Sequence, residues 1–313
     1  MPLVLEQNTT EVAEIGDVLA FMNDNRIDPS DRDSFCQAAG VLAKLKNNRG
    51  FLADRAVGEL KDLCHEQDRV SSYSAQVMML VPPSAENEDY FIRANFWPAK
   101  DDAIYRSSGP NAFFYHHPHD HNFNFLTVGY HGPGYWSDYY EYDYDTVAGY
   151  KGEAADLRFV ERTALHEGKV MLYRAFHDVH DQLPPDAMSI SINICENSMR
   201  GQTLDQYAFD PARDRVTGII NRNAAVGIMP VAAELCGEEG RALLAEIARR
   251  HASDRMRFTA FRSLAITAPT MDDTVAILEA AADDRSPMVA GLARHRLESI
   301  RLATTPLEVQ VTS

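Results

Sequence analysis

The stretch FFYHHPHDHNFNF, residues 113–125, places four histidines within six residues: His116, His117, His119 and His121. Neutral imidazole is a very common metal ligand in proteins. Alternate side chains of a strand point to one face, so His119 and His121 are expected to project together. By the same parity, Tyr173 and His177 share a face of a later predicted strand. We therefore predict a metal site whose ligands are His119, His121 and His177.

Four further residues stay open as alternative ligands: His117, His131, Glu141 and His180. His117 forms a second H-x-H pattern with His119, and His180 follows His177 by only three residues. Glu141 is also a candidate base or fourth ligand. Three imidazoles leave about three positions of an octahedral ion open for substrate and dioxygen.

Around the histidine-rich stretch, over residues 72–222, the chain consists of short segments rich in β-branched and aromatic residues. Clusters of Gly, Pro, Asn and Asp separate these segments. Many short strands with such spacing predict a β-sandwich or barrel and not βαβ units. The predicted strands are 74–82, 90–97, 112–117, 123–130, 136–145, 157–165, 170–176 and 188–195.

Both flanks of this region have helical spacing of apolar residues. In the C-terminal part, ASDRMRFTAFRSLA and DDRSPMVAGLARHRLESI are loosely similar to each other, as in helical hairpin repeats of the HEAT kind. We therefore expect an α+β chain of three parts. These are an N-terminal helical segment (1–71), a β-domain that holds the metal (72–222) and a C-terminal helical, repeat-like domain (223–313).

The H-x-H pattern resembles the first motif of the cupin superfamily, G-x5-H-x-H-x3/4-E-x6-G. His119 and His121 supply the two histidines, and Gly132 follows at the spacing of the motif. Phe125 stands where the motif has its acidic ligand. Gly168 and His177 resemble parts of the second cupin motif, and the resemblance covers about residues 72–200. It implies a cupin-type double-stranded β-helix, which is a β-barrel.

The H-D-H sequence without the acid is similar to the three-histidine, cysteine dioxygenase-like branch of the cupins. That branch binds non-haem Fe(II) and adds dioxygen to a thiol. The resemblance therefore implies a mononuclear non-haem Fe(II) dioxygenase that acts on a small molecule such as an amino-acid derivative. The branch anchors the substrate carboxylate with an arginine on an early strand, for which Arg93 and Arg106 are candidates. Some members carry a Cys–Tyr crosslink, which Phe125 excludes here.

Other residues are assigned to the predicted active site. Tyr173, on the same face as His177, is the candidate proton donor, and with Arg93 it forms the predicted catalytic pair. Phe125 and Tyr142 are assigned to substrate binding. Within the predicted strand 136–145, residues 140–145 alternate tyrosines with acids, which predicts an acidic rim for an amine-bearing substrate.

Composition excludes several classes of partner. With 30 basic and 46 acidic residues the net charge is −16, which disfavours binding to nucleic acid or to anionic lipid. No apolar run approaches the roughly 18 residues of a membrane span. The chain has no G-x-G-x-x-G or P-loop pattern, so we expect no nucleotide cofactor. Four cysteines without a C-x-x-C pair predict a cytoplasmic protein with reduced thiols.

Several alternatives stay open at this point. Three imidazoles also suit Mn, Ni and Zn, so a metal-dependent isomerase or hydrolase on the same barrel competes with the oxygenase. A non-enzymatic ligand-binding or adaptor protein is the third hypothesis. A 2-oxoglutarate oxygenase is disfavoured because Pro118 stands where the H-x-D pattern needs its histidine. By analogy, HEAT-like helices bind a protein or carrier partner, and a homodimer is the commonest assembly.

Overall fold

The computed structural model describes residues 1–65, 67, 76–199, 201, 204–221 and 223–304. The chain divides into two compact units. The first comprises Met1–Tyr144, Asp156–Gln202 and Ala208–Asp214, and the second comprises Asp145–Ala155, Thr203–Tyr207 and Arg215–Ser313. The predicted three-part division stays a prediction, since residues 71, 72 and 222 at its boundaries lie outside the described residues.

The strands of the described chain form mainly two antiparallel sheets. A six-stranded sheet has the order β1-β7-β4-β9-β3-β2, and a three-stranded sheet has the order β6-β5-β8. The strands are β1 (Leu3–Val4), β2 (Val77–Val81), β3 (Tyr90–Trp97), β4 (Phe125–His131), β5 (Trp136–Glu141), β6 (Arg158–Ala164), β7 (Val170–Tyr173), β8 (Asp178–Leu183), β9 (Ser189–Glu196), β10 (Tyr207–Asp210) and β11 (Arg215–Ile219).

Helices precede the sheets in the first unit and make up most of the second. Two 3-10 turns, Pro110–Phe113 and Tyr144–Thr146, interrupt the strand region. The α-helices are α1 (Ile15–Asp24), α2 (Arg32–Cys36), α3 (Ala39–Asn47), α4 (Phe51–Lys61), α5 (Ala103–Ser108), α6 (Ala224–Leu235), α7 (Gly237–Arg250), α8 (Asp254–Ile266), α9 (Met271–Ala282) and α10 (Pro287–Thr304).

Strand alternation divides the core of the first unit into two layers. On β3, Ile92 packs in a cluster with helical residues such as Phe35 and Leu42, whereas its neighbour Phe91 packs in a second cluster. The second cluster joins residues of both sheets, among them Tyr173 of β7 and Tyr139 of β5. The six-stranded sheet therefore carries helices on one face and an aromatic interior, shared with the three-stranded sheet, on the other.

The second unit is held by helix caps and buried ion pairs. The Ser253 hydroxyl accepts a hydrogen bond from the backbone N–H of Met256 at the start of α8. Arg257 is buried in that helix and donates to Asp284 at 2.9 Å. A buried guanidinium needs such a partner, because an unpaired charge there would cost several kcal/mol.

One strand predicted from the sequence is wrong. Residues 112–117 do not form a strand, because the 3-10 turn Pro110–Phe113 occupies the start of this segment. Phe114 and His116 then both have φ of 57°, in the left-handed region that no strand can contain.

Two further segments are broken where the sequence predicted continuous strands. The segment predicted as 170–176 ends at Tyr173, Phe176 has φ of 60°, and a separate strand β8 follows in the other sheet. The segment predicted as 136–145 ends at Glu141. In the N-terminal region predicted as helical, Leu3–Val4 forms β1 and pairs with β7.

The structure confirms the mixed α+β class with antiparallel sheets. Closure of the two sheets into a cupin-type barrel and the HEAT-like character of α6–α10 stay predictions. No helix within the described residues is long and apolar enough to cross a membrane.

The turn before β5 depends on a glycine. Gly134 has φ of 88°, and an added Cβ would lie 2.1 Å from the Leu165 carbonyl oxygen. We expect Gly134→Ala to lower the free energy of unfolding by about 3 kcal/mol or more, from backbone strain plus the steric clash. Gly109→Ala is the control, since φ there is 76° and no atom of the described chain lies within 4 Å of its added Cβ. The free energies of unfolding are measured by urea denaturation. Equal losses in both variants would show that the clash at residue 134 contributes nothing.

Candidate metal centre

Three buried imidazoles converge in the first unit. The candidate ligand atoms of His119, His121 and His180 lie within 4.8 Å of one another. The relative exposure of these residues is 5%, 6% and 1%. Burying three imidazoles side by side is unfavourable unless something bridges their polar nitrogens.

Backbone pairing brings the three residues together. The N–H of His119 donates to the His180 carbonyl at 3.1 Å, and the N–H of His180 donates back to His119 at 3.0 Å. The N–H of Phe176 donates to the His121 carbonyl at 2.8 Å. The H-D-H segment, just before β4, is thereby fixed against β8.

The ring nitrogens are arranged as in a metal site. His119 Nδ1 lies 2.6 Å from the His117 carbonyl oxygen, so it carries the proton, and Nε2 carries the lone pair that could bind a metal. His119 Nε2 and His180 Nε2 lie 3.3 Å apart. Two nitrogens bound to one ion at about 2.1 Å, at octahedral or tetrahedral angles, would be about 3.0–3.4 Å apart.

Two more nitrogens of the cluster have unsatisfied hydrogen-bonding capacity. Nδ1 of His121 and Nδ1 of His180 are buried, and neither has a hydrogen-bond partner within the described chain. Native proteins seldom leave buried polar atoms unpaired without a bound ion, a water or a functional reason. With Nε2 of His180 as its ligand atom, Nδ1 of that ring cannot bind the same ion, so only the unpaired Nδ1 of His121 bears on a metal. Three neutral imidazoles together fit a divalent transition metal.

Burial favours the form of histidine that binds metal. It lowers the pKa of His119 to about 4, and it lowers the pKa values of His121 and His180 well below the usual range. The charges of neighbouring groups, Arg93 among them, add to this effect on His119 and His121. All three imidazoles are therefore neutral at pH 7 and can donate a lone pair.

The structure brings the alternative His180 to the cluster and leaves His177, the first choice from the sequence, outside it. His177 is 37% exposed at its side chain, and its Nε2 lies 3.7 Å from Glu141 Oε1. The parity argument assumed a strand that continues from Tyr173 to His177. The left-handed residue Phe176 ends that continuity, so the alternation restarts in β8.

Glu141, His177 and Asp178 form a second group whose candidate ligand atoms lie close together. The Arg174 guanidinium donates to Glu141 at 2.9 Å and to Asp178 at 2.6 Å. Because the Arg174 guanidinium is bonded to both carboxylates, this group is an ion-pair network. Glu141 thus lies in this network and not in the histidine cluster.

The remaining alternative ligands also lie outside the cluster. The His117 ring centroid lies 6.0 Å from that of His119, and the His117 carbonyl accepts the His119 proton. His131 is exposed at the far end of β4. Each is therefore excluded as one of the three converging ligands.

Phe125 and Tyr173, both predicted from the sequence, lie against the cluster. Their rings stack at 4.2 Å, and the Phe125 ring lies 4.7 Å from His121. The Tyr173 ring lies 5.1 Å from His180, and its hydroxyl is 2.8 Å from that of Tyr139. Burial raises the pKa of Tyr173 well above its usual range, so its hydroxyl stays protonated.

Arg93 is buried on β3 between Phe91 and Trp97, and alternation places it on the interior face with them. Its positive charge helps to lower the pKa values of His119 and His121, and its Cζ lies 5.9 Å from the centroid of the Phe91 ring. Arg106, by contrast, is exposed on α5 and donates to the Asp101 carbonyl at 2.6 Å. Arg93 is therefore the better placed of the two predicted carboxylate anchors.

Tyr142 lies beyond β5, and the predicted strand with an acidic rim ends before it. It is buried, and its hydroxyl donates to Asp120 Oδ2 at 2.5 Å. Tyr142 thus holds Asp120, the residue between the two ligands His119 and His121.

Phe114 and Tyr139 also lie at the site, and the sequence predicted neither of them. Phe114 contacts His119 and Phe123 contacts His121, with ring centroids 5.7 and 5.2 Å apart. Tyr139 pairs with His180 across β5 and β8. The position of Tyr139 depends on the register of β8, a strand that the sequence did not predict.

No protein-family profile and no curated protein sequence matches the chain. Among solved structures, vicilin from hazelnut (Corylus avellana) aligns with 12% identity and a TM-score of 0.20. The alignment covers 46% of this chain and 38% of the vicilin chain, so the chain spans well under half of that protein. At this TM-score the likeness decides neither fold nor function.

Proposed function

We propose that the protein binds one divalent transition metal through His119, His121 and His180 and acts as a mononuclear non-haem Fe(II) oxygenase on a small carboxylate-bearing molecule. The observation that carries the proposal is the convergence of three buried, neutral imidazoles within 4.8 Å. A cupin-type barrel of the three-histidine branch is the proposed fold context. The proposed location is the cytoplasm.

The proposed ligand set consists of three neutral imidazoles. When bound, Fe(II) would supply a centre with open positions that binds a substrate atom and activates dioxygen. The chain would supply the rest of the site. The His117 carbonyl orients the His119 ring through Nδ1, and burial of the three ligands limits access of water.

Two further side chains have proposed roles toward the substrate. Arg93 would bind the carboxylate, since a guanidinium offers two parallel N–H donors to it. Tyr173 would donate a proton or a hydrogen bond, since its hydroxyl is protonated and its ring touches His180. Phe125, in the place of an acid, keeps this side of the site apolar.

A zinc hydrolase or isomerase is the second candidate. The neutral three-histidine set favours it equally, because catalytic zinc commonly takes three protein ligands. Turnover in the absence of dioxygen would favour the hydrolase or isomerase over the oxygenase. A third outcome, a metal-free adaptor that binds partners through α6–α10, would appear as a chain that takes up no metal.

Oxygen uptake by Fe(II)-loaded protein, screened against amino acids and thiols, tests the proposed activity. With the substrate so found, we expect Arg93→Gln to raise KM about 10- to 100-fold, the value of a charged hydrogen-bond pair. Arg106→Gln, on the exposed arginine, is the matched control and should leave KM unchanged. Arg93→Lys keeps the buried positive charge and is the second variant to measure if Arg93→Gln does not fold. An unchanged KM in both variants would show that Arg93 does not bind the substrate.

A further inference from the structure

The candidate metal centre has a buried side and a side nearer to solvent. His180, the most buried ligand, contacts Tyr173, which has no exposed surface. His119 and His121 keep 5% and 6% exposure, and they contact Phe114 and Phe123 respectively. Phe114 and Phe123 thus lie beside the two ligands that keep some exposure.

Phe114 has an unusual position for an aromatic residue. It is 44% exposed, and its ring lies 5.7 Å from those of both His117 and His119. An isolated exposed apolar residue needs no explanation, but this one touches a candidate metal ligand.

The backbone that carries Phe114 is strained and anchored. Phe114 and His116 both have φ of 57°, which is unfavourable for residues with a Cβ. Tyr115 between them is fully buried, and its hydroxyl donates to the Pro98 carbonyl at 3.0 Å. The anchor at Tyr115 thus holds a strained turn that presents the Phe114 ring beside the ligand His119.

We propose that Phe114 determines specificity by packing against an apolar group on the molecule that occupies the metal centre. This inference rests on the proposed metal site and narrows its substrate class. The substrate would combine a polar, metal-binding end with an aromatic or aliphatic portion that lies toward Phe114 and His117. Ligands with a polar end alone would gain nothing from Phe114.

Hydroxamates of two sizes test this proposal on Ni(II)-loaded protein, by titration calorimetry. Acetohydroxamate and benzohydroxamate chelate metal through the same atoms and differ in the phenyl group. We expect wild-type protein to prefer benzohydroxamate, and Phe114→Ala to reduce that preference about threefold to tenfold, the range of an aromatic contact. Affinity for acetohydroxamate should stay constant.

Three further variants make the test decisive. Phe114→Tyr should keep the preference, since the ring remains. Phe114→Asn should lose the preference for benzohydroxamate. Because asparagine tolerates positive φ, this variant can still be tested if Phe114→Ala does not fold. Phe159→Ala, on the exposed strand β6, is the surface control and should behave as wild type.

The outcomes separate the two proposals. If Ni(II) binds and the ratio of the two affinities is the same in wild type, Phe114→Ala and Phe114→Asn, the specificity role is overturned while the metal site stands. If the wild-type chain takes up no Ni(II), the proposed metal site fails, and the role of Phe114 falls with it.

Discussion

His180→Ala is expected to weaken the binding of a divalent transition metal more than about 100-fold, since loss of an outer hydrogen bond to a ligand alone costs 10- to 100-fold. His180 supplies one of three converging nitrogens, 3.3 Å from Nε2 of His119. His177→Ala should change the affinity less than about twofold, because its imidazole lies outside the cluster, 3.7 Å from Glu141 Oε1. Titration with Co(II), followed by its visible absorption, measures both.

The pair of variants is matched, since both remove one imidazole from the four-residue stretch His177–His180. Circular dichroism and the melting temperature of the metal-free proteins separate lost affinity from lost folding. Retention of Co(II) by His180→Ala, together with its loss from His177→Ala, would restore the ligand set predicted from the sequence.

The metal-free protein is expected to lose stability in mild acid through its buried histidines. Burial lowers the pKa of His119 to about 4 in the folded chain, against about 6.5 when unfolded. Below pH 6.5 the unfolded chain therefore binds more protons, so stability is full above that pH and falls as pH drops toward 4. For His119 alone the loss between pH 7.5 and 5.0 is about 2 kcal/mol.

Urea denaturation of chelator-treated protein at the two pH values measures this loss. Other titrating groups contribute as well, so the informative quantity is the difference between wild type and His119→Gln. The wild type should lose about 2 kcal/mol more than the variant between pH 7.5 and 5.0. Equal losses in the two proteins would mean that His119 titrates normally and is not desolvated.

Much of the site could be predicted because it lies within one short stretch. The H-x-H pattern predicted His119 and His121 as ligands. The third imidazole of the cluster, His180, lies in the later region that the sequence also indicated. The choice within that region depended on strand parity. Parity holds only while the backbone stays extended, and the left-handed φ at Phe176 has no reliable signal in the sequence.

Other errors have the same physical origin. The predicted strand 112–117 contains aromatic and histidine residues typical of strands, yet Phe114 and His116 adopt left-handed conformations. Tyr142 follows the period of two, but the strand ends at Glu141 and its hydroxyl donates to Asp120. Tertiary contacts decide these conformations against local propensity.

The metal content of protein purified without added metal or affinity tag is the decisive measurement for the three-histidine site. Elemental analysis of wild type and His121→Ala should give about one metal ion per chain in the first and none in the second. Iron would support the oxygenase, and zinc the hydrolase or isomerase. Absence of metal from the wild type, even after anaerobic reconstitution with Fe(II), would show that the three histidines do not form a metal site.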